Sequence, residues 1–326
     1  LDRTGFTLID MPATEIPISG SDYIEFRGLV GMSSVDPDSG ATQIRYHLKG
    51  MTFHIEDKLL DIRNLESTST LLPVEDGLPL GSEVGSIDSI SFRDFGLGTR
   101  FDIKDVDMVS ESESRQGLVG GSARITADSI AADGNTFGPM AFKMIVNGLN
   151  EQAIVNANGA VRTIYGETKN HPKNRESKLQ HYFKNRGWMI FQGKPHVRFE
   201  LTQFGLKEGD LIASLDLSVT DLEGKDFRNL ALAIKKISSE VHVSVPKSVL
   251  MSGLVQHSHN VLSALNALPV SLPGVEQGQV RPGGAAAILK QALAANLITE
   301  EGGYLSTHVR FEGGALSANG QPLVGK

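Results

Sequence analysis

The sequence predicts a mostly β fold of the α+β class, an extended, curved antiparallel sheet with a few packed helices. Apolar residues alternate with polar ones in many segments, which is the period of a half-buried strand. The 35 glycines suit the positive φ angles of frequent tight turns. The first 147 residues show almost no helical periodicity, which argues against the regular strand–helix alternation of doubly wound folds.

The clearest strand signal surrounds Gly50. Tyr46 and Leu48 alternate with polar residues, and after the glycine the alternation continues one residue out of phase through Met51 and Phe53. A bulge or short turn at Gly50 would produce that shift, and a similar shift occurs between Ile103 and Val106. Further strands are predicted at residues 86–92, 122–127, 142–146, 196–202, 211–220, 240–245 and 304–311, with turns at 207–210, 313–314 and 319–320.

Helices are the minority in this prediction. Residues 247–268 and 284–296 carry apolar side chains at helical spacing, each after a proline. Residues 150–187 are predicted to be helical, with breaks at Gly159 and at His171–Pro172. The chain then divides into a β-rich part, 1–147, and a part at 148–326 with β-hairpins, a basic helical segment and C-terminal helices. No Pro/Ser-rich linker separates them, which also fits one continuous domain.

Composition excludes several classes of protein. The formal net charge is −7 and cysteine is absent. The charge has the wrong sign for a general nucleic-acid binder, and a chain without cysteine has neither disulfides nor thiolate chemistry. No apolar run is long enough for a membrane-spanning helix. The start at Leu1 suggests that a segment upstream was removed.

The C-terminal stretch, residues 285–323, resembles the end of the YdgA family of bacterial domains of unknown function. An Ala/Leu helix precedes a Gly-Tyr strand entry, and the closing strand ends in Asn319, Gly320, Gln321 and Pro322. A β run that ends in Val245–Pro246 and leads into a helix is also similar. The resemblance implies a bacterial envelope protein, periplasmic and tethered to the inner membrane by an N-terminal segment that this sequence lacks.

No common catalytic or metal-binding signature occurs, so we predict no catalytic residue, no metal and no cofactor. His257 and His259 would lie about 200° apart on a helix, which favours surface histidines over metal ligands. Residues 36–40 resemble a calcium loop but lack its last acidic ligand, so a turn is favoured. A set of acidic residues is interpreted as a solvated sheet face rather than a catalytic pair: Asp102, Asp105, Asp107, Glu111 and Glu113.

Positive charge concentrates in one segment. Between Arg162 and Arg198, nine basic residues accompany two acidic ones in a chain of net charge −7. This segment either forms a solvated helix face or binds an anionic surface, and a membrane leaflet or an acidic partner suits an envelope protein better than nucleic acid does. The candidate binding residues are Arg162, Lys169, Lys173, Arg175, Lys178, Lys184, Arg186 and Trp188, although Trp188 is also interpreted as a packing anchor.

Three functions remain open. The first is a non-enzymatic envelope protein whose sheet binds a partner protein or an apolar ligand such as lipid. It is favoured because the predicted helices are few for so many strands, which leaves an apolar sheet face to be covered. The alternatives are a hydrolase with a dispersed active site and a purely structural module.

Overall fold

A computed structural model describes residues 6–72, 78, 80–169, 171–227, 229–256, 270–271 and 284–325. Strand makes up 60% and helix 21%, arranged as one large open antiparallel sheet with few helices. The predicted fold class is therefore confirmed.

The strands of the first half are long. They are β1 Phe6–Met11, β2 Thr14–Ser19, β3 Asp22–Phe26, β4 Leu29–Val35, β5 Thr42–Ile55, β6 Lys58–Leu72, β7 Leu80–Asp94, β8 Thr99–Arg115, β9 Leu118–Ala132, β10 Asn135–Phe137 and β11 Met140–Asn150. Those of the second half are β12 His196–Leu206, β13 Gly209–Asp210, β14 Ile212–Val219, β15 Ile237–Pro246, β16 Val270–Ser271, β17 Thr299–Glu301, β18 Tyr304–Glu312, β19 Ala315–Ala318 and β20 Gln321–Gly325.

The helices lie between strands of the second half. They are α1 Glu151–Glu167, α2 Pro172–Arg186, a 3-10 helix Gly187–Gly193, α3 Gly224–Phe227, α4 Leu230–Ile234, α5 Lys247–Gln256 and α6 Gly284–Ala294. The break predicted at His171–Pro172 is confirmed. The break predicted at Gly159 is wrong, because α1 continues through that residue. A Cβ added at Gly159 would have no atom within 4 Å, and the neighbouring residues keep the helical hydrogen bonds intact. Residues 257–268 of the predicted helix lie outside the described residues.

The sheet is a meander in which each long strand pairs with the next. From β4 the order runs through β5, β6, β7, β8, β9, β11, β12, β14, β15, β18 and β19 to β20, and every pairing is antiparallel. Asn147, where the two sequence parts were divided, lies inside β11 and pairs with His196 of β12. Short strands flank the long ones, since β3 and β4 share one side of β5.

A transverse break crosses the five long strands β5 to β9. One residue of each strand drops out of the ladder at matching positions: Lys49, Asn64, Asp88, Asp105 and Asp128. Two of them have left-handed backbone, Asn64 with φ 48° and Asp105 with φ 51°. The residue that drops out of the ladder in each strand shifts the alternation of side chains between the two faces by one position, as the sequence predicted near Gly50. Apolar residues three apart, such as Ile103 and Val106, therefore share a face.

The largest buried cluster lies along this break. Ile87, Val106 and Ala127 form its centre, and partly buried residues surround them: Ile62, Leu65, Ile90, Ile103, Met108, Ile125 and Met140. All of these belong to β6, β7, β8, β9 and β11. The core is thus built from one face of a single sheet, whereas most domains bury such a face between two layers.

Candidate binding surfaces

The apolar face of the sheet is the face that carries Ile87 and Val106. Its longest row of directly paired residues runs Met11, Leu29, Leu48, Leu65, Ile87, Val106, Ala127, Met140 and Phe204. This row crosses nine strands, so at about 4.8 Å per strand it extends about 38 Å along the sheet. No polar side chain interrupts it.

A second apolar row lies on the other side of the transverse break. It runs Phe26, Met51, Ile62, Ile90, Ile103, Ile130 and Phe137. Stacked rings connect this region to the second half of the sheet, with Phe137 and Phe204 5.9 Å apart and Phe142 and Phe199 6.2 Å apart between ring centroids. The two rows and the rings form one continuous hydrocarbon surface.

The apolar face is bordered mainly by strands of its own sheet. The main backbone neighbours of β6, β7 and β8 are the adjacent strands. Side chains at the centre of the face are buried, with Ala127 1% and Ile87 8% exposed. At the margin Phe101 is 37% exposed. A continuous apolar surface of this extent is typical of an interaction site.

The opposite face of the same strands is polar and is joined by ion pairs. Asp61 is 6% exposed and accepts hydrogen bonds from Arg27 at 2.6 Å, Thr52 at 2.8 Å and Arg63 at 2.7 Å. Burial alone would raise the pKa of Asp61, but the hydrogen bonds from Arg63, Thr52 and Arg27 hold it below its ordinary value. The network fixes the β3–β4 junction to β6 across β5.

A similar carboxylate lies two strands away. Asp102 accepts hydrogen bonds from Ser91 at 2.6 Å and from Arg100 at 2.5 Å. Burial opposes ionisation, yet these partners lower the pKa of Asp102. The sequence pattern favours an interpretation of five acidic residues, Asp102 among them, as a solvated sheet face. That interpretation is wrong for Asp102, because it is 9% exposed and hydrogen-bonded. Asp105, Asp107, Glu111 and Glu113 are exposed, as that interpretation requires.

The basic segment forms a helical hairpin of α1 and α2. Asn150 caps α1 by accepting a hydrogen bond from the Ala153 N–H, and Ala153 and Ala157 are buried. Helix α2 buries none of its residues. Seven of the eight predicted binding residues are placed on or between these helices: Arg162, Lys169, Lys173, Arg175, Lys178, Lys184 and Arg186.

Two of those cations are used inside the hairpin. The Arg175 guanidinium lies 4.5 Å from the centre of the Tyr165 ring and donates to the Thr168 carbonyl, while Lys178 pairs with Glu167 at 2.6 Å. Lys173, Lys184 and Arg186 are exposed, and no carboxylate among the described residues pairs with them. The structure thus brings the predicted cations together and leaves several available to solvent.

Trp188 occupies the 3-10 helix beside this hairpin. It is half-buried, its Nε1 donates to the Asn185 carbonyl at 3.1 Å, and a Cβ at Gly224 would lie 3.0 Å from that nitrogen. Phe191 of the same 3-10 helix stacks on Phe227. These contacts are those of a packing anchor between the 3-10 helix and α3.

Other predicted features occupy ordinary positions. Asp36 accepts hydrogen bonds from the Asp38 and Ser39 N–H groups at 2.9 Å each, which confirms the turn and lowers the pKa of Asp36. His257 and His259 lie outside the described residues. Across the residues that the structure places, no three metal-ligating side chains form a group. Over the same residues, no helix has both the length and the hydrophobicity to cross a bilayer.

Comparison with known proteins decides the family. The model of a family described as "Bacterial protein of unknown function (DUF945)" matches residues 1–324. The chain belongs to this family. The family assignment agrees with the YdgA-like resemblance seen at the C-terminus. No curated protein and no solved structure matches this DUF945 chain.

Sequence reasoning missed the apolar face as a continuous surface. Each strand showed its alternation, but which residues of different strands lie side by side depends on register. The signal available was the three-residue spacing at Leu48/Met51, Ile103/Val106 and Ala127/Ile130. Each of the strands β5 to β9 has one such spacing, and placing the five spacings side by side would have predicted the register of these strands.

Proposed function

We propose that this DUF945 protein binds the hydrocarbon chain of a lipid on the apolar face of its sheet. The observation that carries the proposal is the single-sided core: the apolar residues that pack around Ile87, Val106 and Ala127 all come from strands of the same sheet. Apolar surface gains about 25 cal/mol per Å² when it leaves water. A ligand that covers this face gains that free energy.

The composition of the face favours a hydrocarbon ligand over a protein partner. Protein interfaces include a polar rim and about one hydrogen bond per 100–200 Å². The central rows offer neither, because their members are Leu, Ile, Val, Met, Phe and Ala without exception. Lipid sites have this apolar lining, with polar groups at the ends only.

The dimensions also agree with an acyl chain. Half of a bilayer hydrocarbon core is about 15 Å thick, so one extended chain covers about three strand spacings of 4.8 Å. The row from Leu48 to Met140 spans β5 to β11, which is long enough for one whole chain. Lipid bound in this way lies across the strands, parallel to the transverse break.

The experiment is lipid extraction from the purified protein, with native mass spectrometry and titration with a fluorescent fatty acid. Phe101→Asp places a carboxylate on the apolar face at a position that is already 37% exposed. We expect at least a tenfold loss of affinity, since a desolvated carboxylate opposes hydrocarbon binding. Val109→Asp is the matched control, because Val109 lies on the opposite face of the same strand and is 49% exposed.

Failure of the proposal has a clear form. A purified protein without extractable lipid and without saturable fatty-acid binding would overturn it. Equal loss of affinity in Phe101→Asp and Val109→Asp would also contradict it, because the two faces would then be equivalent. Circular dichroism of both variants verifies that each retains the β spectrum.

A second observation favours contact with an anionic membrane leaflet. Helix α2 exposes Lys173, Lys184 and Arg186 without described acidic partners, and Phe183 beside them is 39% exposed. Each cation near an anionic leaflet contributes about 1 kcal/mol. We therefore propose the α1–α2 hairpin as the membrane contact of an envelope protein.

Liposome co-sedimentation tests the hairpin separately from the sheet. The variant Lys169→Gln/Lys173→Gln/Lys184→Gln/Arg186→Gln should lose binding to anionic vesicles, whereas wild type should bind them and ignore neutral vesicles. Lys49→Gln/Lys58→Gln/Lys143→Gln/Lys207→Gln removes the same charge away from the hairpin and serves as control. Equal binding by both quadruple variants would contradict the proposed membrane contact of the α1–α2 hairpin.

Location in the envelope is part of the same proposal. The family resemblance supports export to the periplasm with an anchor in the inner membrane. A fusion of the full-length gene to a reporter that works only in the periplasm should be active. A silent fusion beside an active cytosolic fusion would contradict it.

A further inference from the structure

One edge of the sheet is formed by β1 and β2, which lie end to end. Within the described chain, β1 pairs only with β4, and β2 pairs only with β3. Every residue of both strands is exposed. The apolar side chains at this edge are 48–64% exposed: Phe6, Leu8, Ile9, Met11, Ile16 and Ile18.

Such an edge is a template for another strand, because its outward N–H and C=O groups are unpaired. Proteins protect free edges with proline, charge or short length. Strand β2 has Pro17 and Glu15, but β1 has neither proline nor lysine and has only Asp10 as a charge. The protection is therefore weakest along β1.

We propose that β1 pairs antiparallel with β1 of a second copy of this chain. An antiparallel pair of identical strands has a twofold axis perpendicular to the sheet, so directly paired residues lie on the same face. With the axis at Ile9, the two Ile9 side chains meet, Leu8 faces Asp10, and Thr7 faces Met11. No two like charges are directly opposite, and the two Ile9 side chains form an apolar contact at the axis.

This arrangement extends the apolar face. A twofold axis perpendicular to the sheet leaves the apolar faces of both copies on the same side. Met11, which begins the apolar row, lies on the same face as Ile9 at the edge itself, so the apolar face of one copy continues through the paired Ile9 side chains into that of its partner. The dimer then has one hydrocarbon surface about twice as long, and this extension, unlike the pairing, rests on the proposed lipid function.

The absence of cysteine from the chain allows a direct test by disulfide formation. Ile9→Cys places two thiols opposite each other at the axis, within the Cα separation that a disulfide needs. Phe6→Cys is the control on the same strand, because the two thiols would be displaced by six residues, about 20 Å. Under mild oxidation we expect a covalent dimer from Ile9→Cys and monomer from Phe6→Cys on non-reducing gels.

Light scattering after size exclusion gives the independent readout. Wild type should have twice the chain mass of 35.1 kDa. Ile9→Lys should be monomeric because it brings two cations together at the axis, whereas Ile16→Lys, equally exposed on β2, should remain dimeric. Wild type of single-chain mass at the highest concentration tested would overturn the proposal, and so would equal cross-linking of Phe6→Cys and Ile9→Cys. Thermal melts compare the folding of all four variants, and neither result depends on lipid binding.

Discussion

The guanidinium of Arg27 lies 2.6 Å from the carboxylate of Asp61, although 34 residues separate them in the chain. Arg27 stands at the junction of β3 and β4, and Asp61 is in β6, so the ion pair reaches across β5. Asp61 also accepts from Thr52 of β5. One carboxylate thus joins three successive parts of the sheet.

The first prediction is an acid-dependent loss of stability through Asp61. Its folded-state pKa is lowered, so its contribution is present above the unfolded value, about pH 4, and is lost as the pH falls through the folded-state pKa. Asp61→Asn should lower the free energy of unfolding at pH 7 by about 2 kcal/mol, less than a fully buried pair because Arg63 is largely exposed.

Urea unfolding at pH 7 and pH 3 measures this effect. The difference between wild type and Asp61→Asn should shrink at pH 3, because the carboxylate of the unfolded chain is then mostly protonated, so its ionisation in the folded state contributes less stability. The exposed Asp107→Asn is the control and should change little at either pH. A difference that stays constant between the two pH values would show that the ion pairs do not stabilise the fold.

The second prediction concerns the left-handed residue in β8. Asp105 has φ 51°, a region that β-branched residues strongly avoid. Asp105→Val should therefore lower the free energy of unfolding by about 2 kcal/mol. Asp105→Gly should change it by no more than about 0.5 kcal/mol, because relief of strain offsets the greater freedom of the unfolded chain.

Chemical denaturation of both variants beside Asp107→Val checks this prediction. Asp107 is exposed and lies in the regular part of the same strand, where valine is well accommodated. If Asp105→Val and Asp107→Val were equally stable, the backbone at the transverse break would not be the cause.

The third prediction contrasts two glycines. A Cβ at Gly205 would lie 2.1 Å from the Gly138 carbonyl oxygen, a backbone atom, whereas nothing lies within 4 Å of a Cβ at Gly159. Gly205→Ala should lower the free energy of unfolding by at least about 2 kcal/mol, since close-packed backbone must move. Gly159→Ala should raise it by about 1 kcal/mol through better helix propensity.

Thermal unfolding of the two alanine variants gives opposite shifts in midpoint if both parts hold. Gly98→Ala is a third comparison, because its φ is 68° with open space around it, so only backbone strain acts there. A stable Gly205→Ala protein would mean that β11 and β12 are less tightly joined than the contact implies.

The fourth prediction is that folding needs no metal. Chelation should leave the unfolding midpoint unchanged, whereas loss of a structural metal would lower stability by several kcal/mol. Melting curves with and without EDTA provide the measurement. A lower midpoint with EDTA would reopen the assignment of His257 and His259 as surface residues.

Sequence patterns predicted local structure well where one rule decided it. The alternation at Tyr46 and Leu48 identified β5, and the turns predicted at 313–314 and 319–320 have positive φ. Gly159 misled because glycine lowers helix propensity by only about 1 kcal/mol, which the flanking helix of seventeen residues overcomes. The register of distant strands remained out of reach, since it depends on contacts that no local pattern contains.

The candidate surfaces divide in the same way. The basic residues of the hairpin lie in one continuous segment, so the sequence alone predicted this concentration of positive charge without the structure of the hairpin. The hydrocarbon surface and the burial of Asp102 arise only when nine strands are aligned, because each strand contributes one or two residues. The local pattern of a strand indicates which of its side chains are apolar, whereas the register decides which residues of the neighbouring strands those side chains contact.

The transverse break also restricts how this chain can change in length. Side chains alternate with period two on either side of it, and the odd residue at Asp105 is what keeps Ile103 and Val106 on one face. Removing Asp107, for example, would turn Met108 and the residues between it and the turn at Gln116–Gly117 to the opposite face. Removing two would preserve every orientation and merely shorten the hairpin. In this family, viable insertions and deletions in β5 to β9 should therefore come in even numbers and in both strands of a hairpin together, so that the sheet grows or shrinks by whole pleats.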